Sequence, residues 1–380
     1  MTRPIRLLAL LAVVLISCTA TTPQPSPSTT TAEPTVAATA TPKPIVPVKA
    51  RTATAVGNNV VVAGDFEGTK KTQVATISDP VADLTLRIAL RGKTADAAET
   101  VWFKSDANFL AMRRAKFAVA DVDGDGKDDL VALYDSGANS SKLYVWKSTG
   151  SAFTFANVWW SGPEYMWARA RNIVSGKFGG TNKDTLLVTY QDDGARMRIH
   201  AFESDGKAIA LTATVFDSGP GKFDLAKAKV AVGHFTRATA PDQLALFYQT
   251  TAKPHLFLFD AGSKGMTVTP DVFVADADYD LSRASLAAAD VNGDGRDDLV
   301  SLYTDADGSA KLNVFDAAAS FLPVNGWNGT ALAAGALCPR TGSLVLGDWD
   351  FDGKADALAL APATAGLRAN VLSGSGASFT

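Results

Sequence analysis

The sequence predicts an all-β protein, a β-propeller with six blades of four antiparallel strands, from three observations. A related segment occurs six times, starting at residues 65, 121, 177, 234, 290 and 348, so that successive copies lie 56, 56, 57, 56 and 58 residues apart. Each copy holds four short runs rich in Val, Leu, Phe and Tyr between Gly, Asp and Ser turns, which predict strands. No segment has a convincing long helical period. Regular four-stranded units are typical of propellers, and a solenoid or a seven-bladed ring is the alternative.

The second unit shows the expected order of strands within a blade. It reads "FAVA", then an acidic loop, "DLVALY", "KLYVW", the turn "STGSAF" and a last run, "FTFANVWW". The sixth unit stops at "GASFT", which leaves its outermost strand short of residues. We expect the segment "PIVPVK", residues 44–49, to supply the missing strand and to close the ring.

Residues 1–17 are predicted to be a signal peptide. Arg3 and Arg6 precede an apolar run of ten residues, 7–16, which is too short to span a bilayer. The run ends in "LISC", which resembles the lipobox of bacterial lipoproteins, so Cys18 is expected to carry a lipid. An ordinary secretory signal is the alternative. The resemblance implies an exported protein that is held at the outside of the cell membrane by its lipid alone.

Residues 18–44 are predicted to be a disordered tether. After the cysteine they read "TATTPQPSPSTTTAEPTVAATATPKP", with almost no large apolar side chain. Such a segment buries too little surface to fold. The remaining residues, 45–380, form the predicted propeller.

Composition and motifs exclude several classes of function. The formal net charge is −3 and no basic run is present, which argues against a nucleic-acid partner. The three histidines lie outside any nucleophile or metal motif, so we expect no enzyme, although the many carboxylates leave a glycosidase pair open. The two cysteines define no disulfide framework. Separately, we expect the protein to be a monomer.

The most specific motif is an acidic loop with the pattern D-x-[DN]-x-D-G-x-x-D, seen in "DVDGDGKDD", "DVNGDGRDD" and "DWDFDGKAD". Side chains at loop positions 1, 3, 5 and 9, with a backbone carbonyl at position 7, offer the hard oxygen ligands that Ca²⁺ prefers. Glycine at position 6 permits the tight turn. An EF-hand would need Glu at position 12, where this chain has Ala132, Ser301 and Ala359. A merely polar hairpin turn is the remaining alternative.

These segments resemble the FG-GAP or VCBS repeats of integrin-α-like propellers and of bacterial and fungal propeller lectins, over about residues 56–380. In that family a calcium loop joins the first and second strands of a blade, so the resemblance implies about three Ca²⁺ sites that stabilise the fold. The implied side-chain ligands are Asp121, Asp123, Asp125 and Asp129 in the second unit, Asp290, Asn292, Asp294 and Asp298 in the fifth, and Asp348, Asp350, Asp352 and Asp356 in the sixth. The implied carbonyl ligands are those of Lys127, Arg296 and Lys354.

The other three loops depart from the pattern. The first unit keeps Asp65 and Glu67 but continues with Thr69 and Gln73, which makes a metal ion doubtful there. The third and fourth units have Lys177 and His234 at position 1 and are expected to bind none.

Aromatic residues followed by a basic residue recur 10 to 12 residues before the loops. The pairs are Phe109 with Arg113, Trp167 with Arg169, Phe223 with Lys227, and Tyr279 with Arg283. One interpretation is packing between blades. The other is a repeated sugar site, in which the ring stacks on a pyranose and the basic group donates to hydroxyls. The predicted function is therefore carbohydrate binding, and a protein-binding adhesion or scaffold module of the envelope is the alternative.

Overall fold

Antiparallel sheet dominates the chain. The computed structural model describes residues 51–56, 58–79, 85–90, 99–236, 241–304, 309–328, 343–350, 352–363, 366–375 and 378–379. Within these residues it contains twenty-four strands and three one-turn 3-10 helices. The predicted signal peptide, Cys18, the tether and the segment 44–49 lie outside the described residues.

The strands form six sheets, one for each repeat, which confirms the six-bladed propeller. The first blade contains β1 (Thr52–Val56), β2 (Asn59–Gly64), β3 (Gln73–Ser78), β4 (Arg87–Leu90) and β5 (Thr100–Lys104). The second contains β6 (Ala115–Ala120), β7 (Asp129–Gly137), β8 (Ser140–Ser148) and β9 (Phe153–Gly162). The third contains β10 (Ala170–Gly176), β11 (Thr185–Asp192), β12 (Arg196–Ser204) and β13 (Ile209–Asp217).

The remaining blades follow the same order. The fourth contains β14 (Ala228–Gly233), β15 (Gln243–Gln249), β16 (Pro254–Gly262) and β17 (Gly265–Val274). The fifth contains β18 (Ala284–Ala289), β19 (Asp298–Thr304), β20 (Ala310–Asp316) and β21 (Leu322–Asn328). The sixth has three described strands, β22 (Ser343–Gly347), β23 (Asp356–Ala363) and β24 (Gly366–Leu372). The 3-10 helices η1 (Met112–Arg114), η2 (Leu225–Lys227) and η3 (Leu281–Arg283) lead into the second, fourth and fifth blades.

The first strands of successive blades contact one another around the ring, and β1 pairs with the inner side of β2. Apolar residues from adjacent sheets fill the space between blades, because alternate residues of a strand face opposite neighbours. The ring closes between the sixth and first blades, where Val345 and Leu360 pack against Val61 and Ala63. Ser343 Oγ also donates to Ala55 O at 2.8 Å. In the described residues, closure thus rests on packing of the two blades and on this hydrogen bond. No helix of the described residues is long and apolar enough to span a membrane.

A pair of hydrogen bonds, which we term the clasp, joins each of four loops to the blade before it. In the second blade, Asp128 donates its backbone N–H to Asp65 O at 2.8 Å, and its Oδ2 accepts from Asp65 N at 2.8 Å. In the next three blades, the aspartate just before the second strand repeats this geometry on the first residue of the preceding loop. The clasp residues are Asp128, Asp184, Asp242 and Asp297.

Arg51 joins two clasps at the end of the central channel. Its Nη2 lies 2.6 Å from Asp128 Oδ1, and its Nη1 lies 2.8 Å from Asp184 Oδ2. The side chains of Arg51, Asp128 and Asp184 are 12%, 5% and 0% exposed, so these ion pairs are buried. A residue just ahead of the first strand therefore ties the first three blades together.

Candidate functional site

The acidic loops connect the first and second strands of their blades, where the family resemblance places them. In the second blade, Asp121 accepts from the backbone N–H groups of Gly124 and Gly126, at 2.7 and 3.2 Å. In the fifth blade, Asp290 accepts from Gly293 and Gly295 at 2.7 and 2.8 Å. The glycines at loop positions 4 and 6 have positive φ, which lets the backbone turn its N–H groups toward the first aspartate.

Two of the loops bring three carboxylates together. One oxygen from each of positions 1, 3 and 9 lies within 4.8 Å of the others in the second and sixth blades, and the fifth loop has Asn292 at position 3. The two groups are Asp121, Asp123 and Asp129, and Asp348, Asp350 and Asp356.

The carboxylate at position 5 does not join the other three and instead accepts a hydrogen bond from the backbone N–H of position 7. Asp125 accepts from the backbone N–H of Lys127 at 2.9 Å and pairs with its ammonium, and Asp352 accepts from Lys354 N at 2.9 Å. Asp294 accepts from Arg296 N at 2.7 Å. Positions 1, 3 and 9 are therefore the preformed part of each loop, and position 5 would have to turn to reach an ion.

Burial makes the position 9 carboxylates unfavourable as isolated anions. Burial, with smaller contributions from the charges of Asp123 and Asp125, raises the pKa of Asp129 to about 8. Burial likewise raises the pKa of Asp298 to about 7, and its Oδ2 is buried with no hydrogen-bond partner among the described residues. A divalent cation would neutralise such groups, so the donor set fits Ca²⁺. In the second loop Lys147 also pairs with Asp123 and would compete with an ion.

In the third and fourth loops, a basic side chain stands at position 1 and pairs with the aspartate that precedes the second strand. Lys177 Nζ lies 3.1 Å from Asp184 Oδ1, and His234 Nε2 lies 2.9 Å from Asp242 Oδ1. In the first loop Asp65 accepts from the N–H groups of Thr69 and Lys70 at 2.9 and 2.7 Å. These three loops are held by protein donors.

Most of the recurring aromatic residues pack inside or between blades. Phe109 meets Phe155 with ring centroids 4.9 Å apart, Phe223 meets Tyr248 at 5.1 Å, and Tyr279 stacks on Tyr303 at 4.6 Å. The third-blade counterpart of Phe223 and Tyr279 is Tyr165, which packs on Tyr190 at 5.0 Å. Trp167 is instead equivalent to the buried Leu225 and Leu281. The carbonyl of each of these three residues accepts a hydrogen bond from the backbone N–H of the first residue of the following strand.

The basic residues also fall into two groups. Arg114, Arg169, Lys227 and Arg283 occupy the same position, one residue before the first strand of a blade. Arg114 and Arg283 each lie over a tyrosine ring, 5.4 Å from its centroid, and Arg169 pairs with Asp193 at 2.9 Å. Arg113 is one residue further from the strand and is exposed. The structure thus aligns Arg114, rather than Arg113, with the other three.

Trp167 and Arg113 meet in one pocket of about 520 Å³, which we term the tryptophan pocket. It lies between connectors from different blades. Its polar and aromatic lining comprises Asn58, Asn59, Asp79, Arg113, Lys116 and Trp167. Of the predicted ligand residues, only Trp167 and Arg113 line it; Arg169, Phe109, Phe223, Lys227, Tyr279 and Arg283 lie elsewhere.

Lys116 and the indole ring of Trp167 contact each other in this pocket. Its Nζ lies 3.1 Å from the ring centroid of Trp167 and 3.4 Å from Trp167 O. The indole Nε1 donates to Leu133 O at 3.0 Å, which fixes the ring. Burial, and then the charge of Arg171, lower the pKa of Lys116 to about 8.

The tryptophan pocket continues into a cavity of about 340 Å³ in the central channel, which we term the channel cavity. Ala55, Val60, Ala115 and Lys116 line both spaces. The charged residues that line the channel cavity are Arg51, Lys116 and Arg171. Sequence reasoning missed Lys116 and Arg171, and the only signal for them is a basic residue near the start of the first strand of a blade.

Comparison with known proteins identifies the fold but no family. No protein-family model matches the chain, and no curated protein matches it significantly. A mutant of AofleA from Arthrobotrys oligospora matches with a TM-score of 0.50 and 16% identity, over 88% of this chain and 85% of that one. A mutant of the Aleuria aurantia lectin in complex with Fucα1-6GlcNAc matches with a TM-score of 0.50 and 15% identity, over 82% of this chain and 91% of that one. At this level of identity the likeness concerns the architecture.

Proposed function

We propose that this protein is a carbohydrate-binding propeller and that the sugar binds in the tryptophan pocket. The observation that carries the proposal is the combination of an indole, two side-chain amides, an ammonium and a guanidinium around one concave space. Sugar hydroxyls need both donors and acceptors, which the amides of Asn58 and Asn59 supply together. Arg113 and Lys116 add charged donors, and Trp167 lines the same space.

The size and position of the pocket support the same function. A volume of about 520 Å³ lies within the range of small-molecule sites. The Aleuria aurantia lectin, which is similar in fold, was solved in complex with Fucα1-6GlcNAc, so this architecture is compatible with glycan recognition. The catalytic alternative lacks a comparable constellation among the described residues, and we propose a binding module.

Calcium and the cell surface complete the proposal. Asp121, Asp123 and Asp129 would hold one Ca²⁺, and Asp348, Asp350 and Asp356 a second, each ion stabilising the turn between two strands. Asp290, Asn292 and Asp298 would hold a third ion. Export by the residue 1–17 signal and a lipid on Cys18 would place the module outside the cell membrane, where calcium is abundant.

A glycan and cell-wall polysaccharide array tests the function. We expect the calcium-loaded protein to bind a limited set of glycans and the Arg113→Ala and Asn59→Ala variants to lose those hits. Lys227→Ala is the matched control, because Lys227 is an exposed basic residue of a connector outside the pocket. Trp167→Ala is less suitable, since it also removes packing and the bond to Leu133 O. A blank array with folded protein would contradict the proposal and favour the protein-binding alternative.

A further inference from the structure

The tryptophan pocket and the channel cavity carry an unbalanced positive charge. Three charged side chains line the channel cavity, and all are basic. Arg51 is balanced by Asp128 and Asp184. Lys116 and Arg171 form no ion pair with any carboxylate of the described residues. Two cations, the half-buried Lys116 and the exposed Arg171, therefore line one cavity without an ion-pair partner among the described residues.

The local surroundings give these cations little compensation. Lys116 is half-buried, and its interactions in the described residues are with the Trp167 ring and the Trp167 carbonyl. The repulsion from Arg171 exceeds the attraction from Asp135. Asp79 lines the tryptophan pocket but not the channel cavity. Among the described residues, Lys116 is half-buried without a carboxylate partner and Arg171 is exposed at the same cavity, so two unpaired cations are placed to bind one anion from outside the chain.

We infer that the ligand is a sugar bearing a carboxylate, whose ring lies in the tryptophan pocket and whose carboxylate is bound between Lys116 and Arg171. The inference rests on the proposed function and specifies the class of sugar. A guanidinium binds a carboxylate through two parallel hydrogen bonds, and an ammonium adds a point charge. Lys116 lines both spaces, so one ligand would contact the amides of the pocket and the cations of the cavity.

Lys229 provides a matched control for Lys116. The two lysines occupy equivalent positions, since Lys116 is paired with Leu133 and Lys229 with Phe247 in the same strand register. Both are half-buried, and burial lowers the pKa of both. Lys229 lines neither space. A general loss of positive charge or of strand packing would affect both positions, whereas loss of the carboxylate site would affect only Lys116.

The test uses the full chain with calcium and an array of glycans containing uronic or sialic acids beside their neutral counterparts. The tightest acidic hit is then titrated calorimetrically in two forms, intact and with its carboxylate reduced to the alcohol. We expect reduction to weaken binding by about 10- to 100-fold, the range for a hydrogen bond to a charged group. Lys116→Met and Arg171→Gln should lose this difference, Lys229→Met should keep it, and added salt should weaken only the acidic form.

The outcomes separate the two levels of the proposal. Binding of neutral glycans that is insensitive to carboxylate reduction and to Lys116→Met would overturn the carboxylate site and leave carbohydrate binding intact. Absence of binding to every glycan by the folded protein would overturn carbohydrate binding itself, and the carboxylate site with it.

Discussion

Replacing Arg51 by methionine should destabilise the propeller far more than removing an exposed ion pair. The guanidinium contacts Asp128 Oδ1 through Nη2 at 2.6 Å and through Nε at 2.9 Å, and contacts Asp184 Oδ2 at 2.8 Å. Asp184 keeps a second cation, Lys177, at 3.1 Å. Among the described residues, Asp128 then keeps the hydrogen bond from Asp65 N alone, so its carboxylate becomes a buried and uncompensated charge.

The expected loss is about 3–5 kcal/mol in the free energy of unfolding, the range for breaking one side of a buried ion pair. Arg196 is the control. It pairs with Asp217 through Nε at 2.8 Å, but both side chains are about one-third exposed, and exposed pairs contribute little to stability. Arg196→Met should therefore change the free energy of unfolding little, although the Arg196–Asp217 distance is as short as those of Arg51.

Equilibrium unfolding in urea measures both variants, with calcium held constant. Adding Asp128→Asn to Arg51→Met should recover part of the loss, because an amide oxygen still accepts from Asp65 N and the buried charge is gone. Equal and small losses for Arg51→Met and Arg196→Met would refute the reasoning. A double variant less stable than Arg51→Met alone would also contradict it.

Four further predictions concern calcium, pH and packing. Excess chelator should lower the melting temperature of the full chain, because an ion at about 100 times its dissociation constant stabilises by about 2.7 kcal/mol per site; an unchanged melt would contradict the calcium proposal. Asp356→Asn, which removes one ligand of the sixth loop, should reduce the calcium stoichiometry by one in a calorimetric titration. Lys116 has its pKa lowered to about 8 from 10.5, so the folded state binds fewer protons than the unfolded state between those values and stability rises with pH there. Lys116→Met should therefore be more stable than wild type at pH 7, by about 1 kcal/mol after allowance for solvent screening, and that gain should shrink as pH rises from 8 to 10.5. Phe259→Ala, at a fully buried site, should cost about 3–5 kcal/mol, whereas Leu322→Ala, at a side chain 60% exposed, should cost about 0.5 kcal/mol or less by urea unfolding.

The fold was predictable because its signals are local and repeated. Each strand alternates within itself, the three acidic loops have their own glycines, and six copies of one unit at nearly constant spacing leave few architectures. The loop motif also shows which side chains share a turn, since positions 1, 3 and 9 lie within nine consecutive residues.

The clasp and the Arg51 ion pairs could not be predicted in the same way. Asp65 and Asp128 are 63 residues apart, and Arg51 and Asp128 are 77 apart. A second aspartate in "DD" looks like part of the acidic loop, but its partner is a backbone N–H of the previous blade. Only the arrangement of the ring identifies that partner.

Counting residues back from the loops also misaligned the aromatic and basic positions. The first strand of the third blade contains a bulge between Ala170 and Asn172, which shifts every upstream residue by one relative to the second blade. Connector lengths differ as well, so Trp167 was grouped with Phe223 and Tyr279 although Tyr165 is their counterpart. The pocket combines residues near positions 58, 79, 113 and 167, which no single motif contains.

The most direct test of the central claim is a crystal structure of the calcium-loaded protein with the tightest glycan from the array. We predict sugar density in the tryptophan pocket, in contact with Trp167, Lys116 and the amides of Asn58 and Asn59. Sugar bound in another cleft, such as the one lined by Thr214 of β13 and Met266 of β17, with the tryptophan pocket holding only solvent, would contradict the account.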